Sequence, residues 1–416
     1  MKTWRWIVSL TAALPLWACA AGDSGGGWAG TVRDSAGVQI VENPATGIWG
    51  TRPRVTLTED LRIGAADGDP EYQFGQIAGL GITSAGEILV LDGQAAHLKV
   101  FSPSGEHVRT IGRPGSGPGE FGAGAAGVLV VQGDTVLVPD MGNQRVNRFL
   151  PSGEALGSFR IAFETGIPIQ WNVLAGRAVL QLRKFPLPNQ PVPDTMDQVV
   201  MIATDGSVLD TIRSVPAGKT FSMTGDMPEF NFFSAEPAWS ITERGSLLYA
   251  INSDYRISVY GPDGALQRII TKPFEREPVS ESDRSAMTSA IERLWREAGL
   301  PPQAVEFLKS RIHFAETYPA FLQFMGGPDG SIWVQRIARP STMSSEEREA
   351  FNPMLDLGSN VWDVFDAEGR YLGPVAFPVR FQPMKFADDL VYGIWRDELD
   401  VQYVMRLRIE MPQDQS

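Results

Sequence analysis

Cysteine is nearly absent from this 416-residue chain: Cys19 stands alone, so no disulfide can form within it. Histidine is scarce as well. His97, His107 and His313 are the only three and show no ligand spacing, so a histidine-built metal centre is not expected. Basic charge is in deficit, with 36 Lys and Arg against 49 Asp and Glu. That balance argues against nucleic acid and anionic membrane surfaces as partners, since both demand a basic footprint. No nucleophile elbow, Walker loop or dinucleotide fingerprint is present, and Gly115-Ser116-Gly117 resembles a phosphate cradle only superficially. What remains is ample for a large core: 43% of the residues are hydrophobic and 20% charged. The 43 glycines and 30 prolines form no low-complexity tract and sit between short apolar runs, as the turns of a many-stranded protein should.

The N-terminus decides the compartment. Lys2 and Arg5 precede a mostly apolar stretch, Trp6 to Leu16, that is too short to span a bilayer and fits a cleaved export signal over residues 1–18. The stretch ends Leu16-Trp17-Ala18-Cys19, which resembles a bacterial lipobox with a large residue, Trp17, at a position usually small. Cleavage would leave Cys19 first in the mature chain. Acyl chains on its sulfur and amine would supply the multiple buried chains that stable anchoring requires. Residues 19–36, rich in Gly and Ser at their start, then read as a flexible tether. Ala20 follows the cysteine where an Asp is the usual inner-membrane retention cue, so in a cell with two membranes the outer one is favoured. The expectation is a lipid-anchored protein of the bacterial cell envelope, a monomer held to the membrane through Cys19.

Repeats organise the rest. GEILVLDGQAAHLKVFSPSGEHVRTIG (86–112) and GDTVLVPDMGNQRVNRFLPSGEALGSF (133–159) share a turn glycine, an apolar run ending in Asp92 or Asp140, a polar turn, a second run ending in Phe101 or Phe149, and a Pro-Ser-Gly-Glu turn. Four further units follow by the same punctuation. Their first turns fall at 174–177, 243–246, 328–331 and 387–389, and three second turns at 204–207, 262–265 and 366–369 are sequences that favour tight hairpins. Six units of short strands predict an all-β six-bladed propeller over residues 37–416, because radial packing is how four-stranded sheets hide both faces. The last unit has three strands before the chain ends. GVQIVEN (37–43) is the expected fourth, closing the ring.

The stretch from Pro139 to Phe149, together with GSGPGEF at 115–121, resembles the NHL repeat, in which a Gly-Pro-Gly-Glu-Phe lead-in precedes Asp-x-x-Asn-x-Arg-Val-x-x-Phe. The second unit matches closely, the others in outline. The resemblance implies that Asn143 and Arg145 pin neighbouring blades. The whole layout is similar to bacterial lipoproteins known as six-bladed propellers. Some NHL-type propellers hold zinc on several histidines, which this chain lacks. Lactonase-like six-bladed proteins hold calcium in the channel on Asp, Asn and Glu oxygens.

Turns within the repeats are short on one face and long on the other. Long connections at 183–197, 217–237, 273–320 and 338–360 all fall on the second face, which is therefore the expected functional face. The largest is helical and is expected between the fourth and fifth units: Ser280 and Asp283 resemble a capping box, and Met287, Ile291, Leu294 and Trp295 recur at helical spacing until Gly299. A second helix starts at Pro301-Pro302, with Val305, Leu308 and Ile312 on one stripe. Candidate ligand or metal residues on this face are Asp92, Asp140, Asn143, Arg145, Asn252, Asp254 and Trp395. Asp92 and Asp140 also suit turn-forming roles, in which the side chain bonds the backbone ahead of it. The long loops carry aromatics, Trp171, Phe230, Phe232, Phe233 and Trp239 among them, which suit either a ligand mouth or the core of a cap. The reading is a binding scaffold for a peptide, glycan or protein. The alternative is a calcium-dependent hydrolase or lyase, lactonase-like, with its site in the central channel.

Overall fold

A computed structural model describes residues 27–50, 54–161, 166–184, 196–224, 227–355 and 357–410. Six antiparallel four-stranded sheets ring an axis. Blade 1 is Phe381–Ala387, Leu390–Arg396 and Gln402–Glu410, completed by Thr56–Ile63 from far earlier in the chain. Blades 2 to 5 lie within 77–111, 129–160, 167–216 and 237–271, and blade 6 within 324–376. The first strands of successive blades pack side by side around the axis. The repeat turns fall where the sequence places them, for example between Leu174 and Arg177 and between Tyr260 and Leu266.

Strand alternation explains why the second strands are such strong apolar runs. In Ile88–Asp92 every residue is buried. Ile88 and Val90 face the core shared with blade 1, while Leu89 and Leu91 face the core shared with blade 3. A strand buried on both faces must be apolar throughout, whereas a fourth strand at the rim is half solvated. Thr135–Asp140 repeats the pattern, with Val136 and Val138 on one side and Leu137 on the other.

The ring closes differently from the sequence expectation. Thr56–Ile63 is the closing strand, antiparallel to Gln402–Glu410 from Val404 opposite Ile63 to Glu410 opposite Thr56. Val38–Glu42, expected in that place, lies parallel against Leu266–Thr271 on the rim of blade 5, and Thr31–Ser35 pairs with it to make a six-stranded sheet. Residues 31–35, assigned from the sequence to the tether, are thus a strand. Connectivity gives the reason: each blade's fourth strand leads into the next blade's first, so the strand before Ile77 must be the fourth of the blade beside it. Asn43 then fastens the added strand, its Oδ1 accepting from the Tyr371 amide at 2.6 Å and its Nδ2 donating to the Gly369 carbonyl at 2.9 Å.

The helical insertion lies between Leu266–Thr271 and Phe324–Gly326, after the fourth repeat of the sequence, which is blade 5 when the closing blade is counted first. Helix α1, Glu281–Glu297, starts on Ser280, whose Oγ accepts from the Asp283 amide, and stops before Gly299 at φ 81°. Helix α2, Pro302–Lys309, ends earlier than the apolar stripe suggested. Ile312–Phe314 is instead a strand, parallel to Met227–Phe232, so His313 sits on a strand and not on a helix. Met287, Ile291, Phe232, Phe233, Val279 and Tyr318 form a separate core, against which Ile337, Phe351 and Leu357 pack. A short helix α3, Ser345–Ala350, carries a complete capping box between Ser344 and Glu347. Three long connections therefore fold together as one cap. Among the described residues no helix is long and apolar enough to cross a membrane.

Candidate ligand-binding site

Most of the sequence-nominated residues hold the scaffold. The Asp92 carboxylate is 2% exposed and accepts from the amides of Gly75, Gln76, Gln94 and Ala95 at 2.8 to 3.2 Å. Asp140 likewise accepts from the Gly122 amide at 3.0 Å and from the Asn143 amide and Nδ2 at 3.1 and 2.8 Å. Asn143 also donates to the Gly115 carbonyl, and Arg145 donates to the carbonyls of Ser116, Gly117 and Glu120. These bonds fix the glycine-rich lead-in of blade 3 and account for GSGPGEF without a phosphate. Asn252 bridges two lead-ins, accepting from the Glu236 amide at 2.7 Å and donating to the Phe321 carbonyl at 2.8 Å. Asp254 forms an exposed ion pair with Arg276, and Trp395 packs beneath the Arg62 guanidinium, 4.3 Å from its ring centre.

Calcium requires six to eight oxygens converging on one point. Asp92 and Asp140 already accept N–H donors, and among the described residues no three His, Cys, Asp or Glu side chains come together as a metal group. The nominated residues do not fit that ion. Of the aromatics expected in long loops, Trp171 and Trp239 lie instead on the first strands of blades 4 and 5; Trp239 is buried and donates its indole N–H to Gln181, while Phe230 meets Trp295 at a tilt inside the cap.

A different constellation opens on the long-connection face, where the cap meets blades 6 and 1. A cavity of about 610 Å³ lies there. Its floor is Asp363, whose side chain is 2% exposed. Oδ1 accepts from Arg336 Nη2 at 2.6 Å, Arg336 Nε at 3.1 Å and the Tyr371 hydroxyl at 2.7 Å; Oδ2 accepts from Lys272 Nζ at 2.8 Å and the Tyr255 hydroxyl at 3.0 Å. Burial alone would raise the Asp363 carboxyl, but Lys272 and Arg336 more than offset it and hold it below its usual range. Burial pulls the Lys272 amine down against the pull of Asp363. It pushes the Tyr255 and Tyr371 phenols up, and the neighbouring carboxylate adds to that.

Two cations thus share one carboxylate, with both cations lining the cavity. Arg380, Arg396 and Arg339 line it too, the last paired with Glu277. Phe274, Met343, Phe351 and Leu355 supply apolar wall, and Gln382, Asn352 and Asn360 supply amides. At the opposite mouth Lys385 borders an open depression of about 430 Å³, and burial lowers its amine. The main cluster escaped sequence reasoning because its members are far apart in the chain: Tyr255 and Lys272 flank the last two strands of blade 5, while Arg336, Asp363 and Tyr371 lie on three successive strands of blade 6. One signal was available: where other units place Asp92, Asp140 or Asn252 near the end of the second strand, the unit at 332–337 carries Arg336.

Such an architecture defines a six-bladed β-propeller with a capped face. Residues 69–125 match a family model described as a 6-bladed beta-propeller. A protein from Bacteroides fragilis described as exported has a similar fold, with 12% identity, a TM-score of 0.51, and coverage of 89% of this chain and 99% of that one. A member of the duf4221 family from Bacteroides vulgatus gives 10%, 0.48, 86% and 98% for the same quantities. For virginiamycin B lyase from Staphylococcus aureus they are 10%, 0.40, 85% and 99%. At these identities the likeness is one of fold. No curated protein matches the chain.

Proposed function

We propose that this protein is a bacterial envelope lipoprotein that acts as a binding scaffold, presenting the cavity on its capped face to a peptide, glycan or protein. One observation carries the reading. Two chain excursions, within 273–320 and 338–360, share a single apolar core with a third and, together with blades 5, 6 and 1, wall one cavity of about 610 Å³, a size typical of ligand sites. Building a second core on one face of a ring that is already closed serves shape rather than closure. Anchorage rests on the signal and Cys19, which lie outside the described residues. Envelope location agrees with an acidic chain that has no second thiol.

Thr342 is exposed, lies on the cap and borders the cavity. Thr342→Trp should fill the space and leave the blades intact. Screened in detergent against arrays of short peptides and oligosaccharides, the full chain should bind a subset that the variant fails to bind. Equal binding by both would refute the cavity as the site. In cells, Cys19→Ser should abolish acyl labelling; labelling at the wild-type level would refute the anchor.

A further inference from the structure

The charge arrangement in the cavity points to one kind of ligand, on the premise that the cavity is the binding site. We propose that it takes the C-terminal end of a peptide: the carboxylate on Lys272 and Arg336, backbone amides on Gln382 and Asn352, and an aliphatic last side chain against Phe274, Phe351 and Leu355.

The anion preference follows from counting donors. A carboxylate offers about four lone-pair sites. Asp363 receives five contacts, so it is saturated, while Lys272 and Arg336 each retain N–H groups that it cannot accept. Arg336 Nη1 has no hydrogen-bond partner among the described residues, and the side chain is 44% exposed into the cavity. With two cations on one anion, the cluster carries surplus positive charge. Its neighbours on blade 1 add to it: Arg380 donates to the Asp397 carbonyl, and the nearest carboxylate to Arg396 is Asp400 at 3.7 Å. The carboxylates on the facing cap are largely committed, Glu277 to Arg339 and Glu347 to the Ser344 amide, which leaves Glu275. An incoming carboxylate would meet a planar guanidinium fork whose geometry matches it.

The rest of the wall selects among acids. A simple fatty acid would leave polar wall unused. Gln382 makes no side-chain hydrogen bond among the described residues, and Asn352 uses only its Oδ1, on the Met354 amide. Both can serve a peptide backbone. An acidic sugar would use the amides but not the aliphatic surface of Met343 and of Leu355, which is 60% exposed. A peptide end uses all three.

The test titrates the full chain in detergent with acetyl-Ala-Ala-Ala-Leu as free acid, with its C-terminal amide, and with trigalacturonate. The acid should bind, and the amide should bind at least about tenfold more weakly, as loss of a charge-assisted bond implies. Arg336→Gln, with a retained cooperative melting transition as the folding control, should weaken the acid to the level of the amide. Arg380→Gln, at the rim, should weaken it by a smaller factor. Equal binding of acid and amide overturns the proposal, as does acid binding that Arg336→Gln leaves intact. Binding of trigalacturonate without either peptide overturns the peptide assignment while the cavity reading stands. Failure of all three probes also overturns it, and the array with Thr342→Trp then decides the cavity reading separately.

Discussion

Asp363→Asn probes the cluster on which the cavity is built. The substitution keeps the shape and one acceptor oxygen but removes the charge that Lys272 and Arg336 share. Breaking a buried ion pair by deleting one partner costs about 3–5 kcal/mol, and Arg336, being 44% exposed, can recover hydration, which places the cost near the lower bound. Lys272 cannot recover as readily, with only 11% of its side chain exposed. A body of about 380 residues unfolds with an entropy of roughly 0.8 kcal/mol/K, so a loss of about 3 kcal/mol lowers the melting midpoint by about 4 °C. The pH dependence adds a second test. The folded Asp363 carboxyl lies below its unfolded value of about 3.9, so its stabilisation is fully present above that pH and is lost as pH falls through the folded value. Scanning calorimetry should therefore find the full gap between wild type and variant at pH 7 and a narrowing gap below about pH 4. A gap under about 1 °C at pH 7, or one that stays constant down to pH 3, would refute the reasoning.

Three further outcomes follow from the fold. A chain starting at Arg54 lacks the hairpin at 31–42 but keeps the closing strand, and should melt cooperatively at a modestly lower temperature; one starting at Gly64 should lose its cooperative transition, and an unchanged calorimetric peak would contradict the clasp. Asp140→Ala strands the buried amides it receives and should cost about 1–3 kcal/mol in urea unfolding, without the loss of any bound metal by elemental analysis; stoichiometric calcium that disappears in this variant would revive the channel-enzyme reading. Replacing residues 273–320 by a Gly/Ser linker should leave the β-sheet circular dichroism but expose Phe232 and Phe233, raising binding of a hydrophobic dye; no rise would mean that the cap core is not shared.

The blades were legible in the sequence because their second strands are buried on both faces and their turns need glycine at positive φ, as at Gly86 and Gly153. The closing strand was not. Thr56–Ile63 is a rim strand with Ile63 as its only buried residue, so its pattern is polar and weak, whereas VQIVE advertises a strand without saying which edge it joins. Asp92 and Asp140 were found as special positions, but the same pattern serves a turn and a ligand, and only the amides around them separate the two. The Lys272, Arg336 and Asp363 cluster was invisible for a different reason: it is assembled by ring geometry from residues up to 91 positions apart, and no local motif announces it.

If ligands enter beneath the cap, between blades 5, 6 and 1, hydrogen–deuterium exchange with and without the tightest-binding probe from the peptide and oligosaccharide arrays will register their contact there. Protection should concentrate in segments 335–343, 351–355, 358–361 and 379–382, which line the cavity. Protection confined to the opposite face around Lys385, or spread evenly along the channel strands, would contradict it.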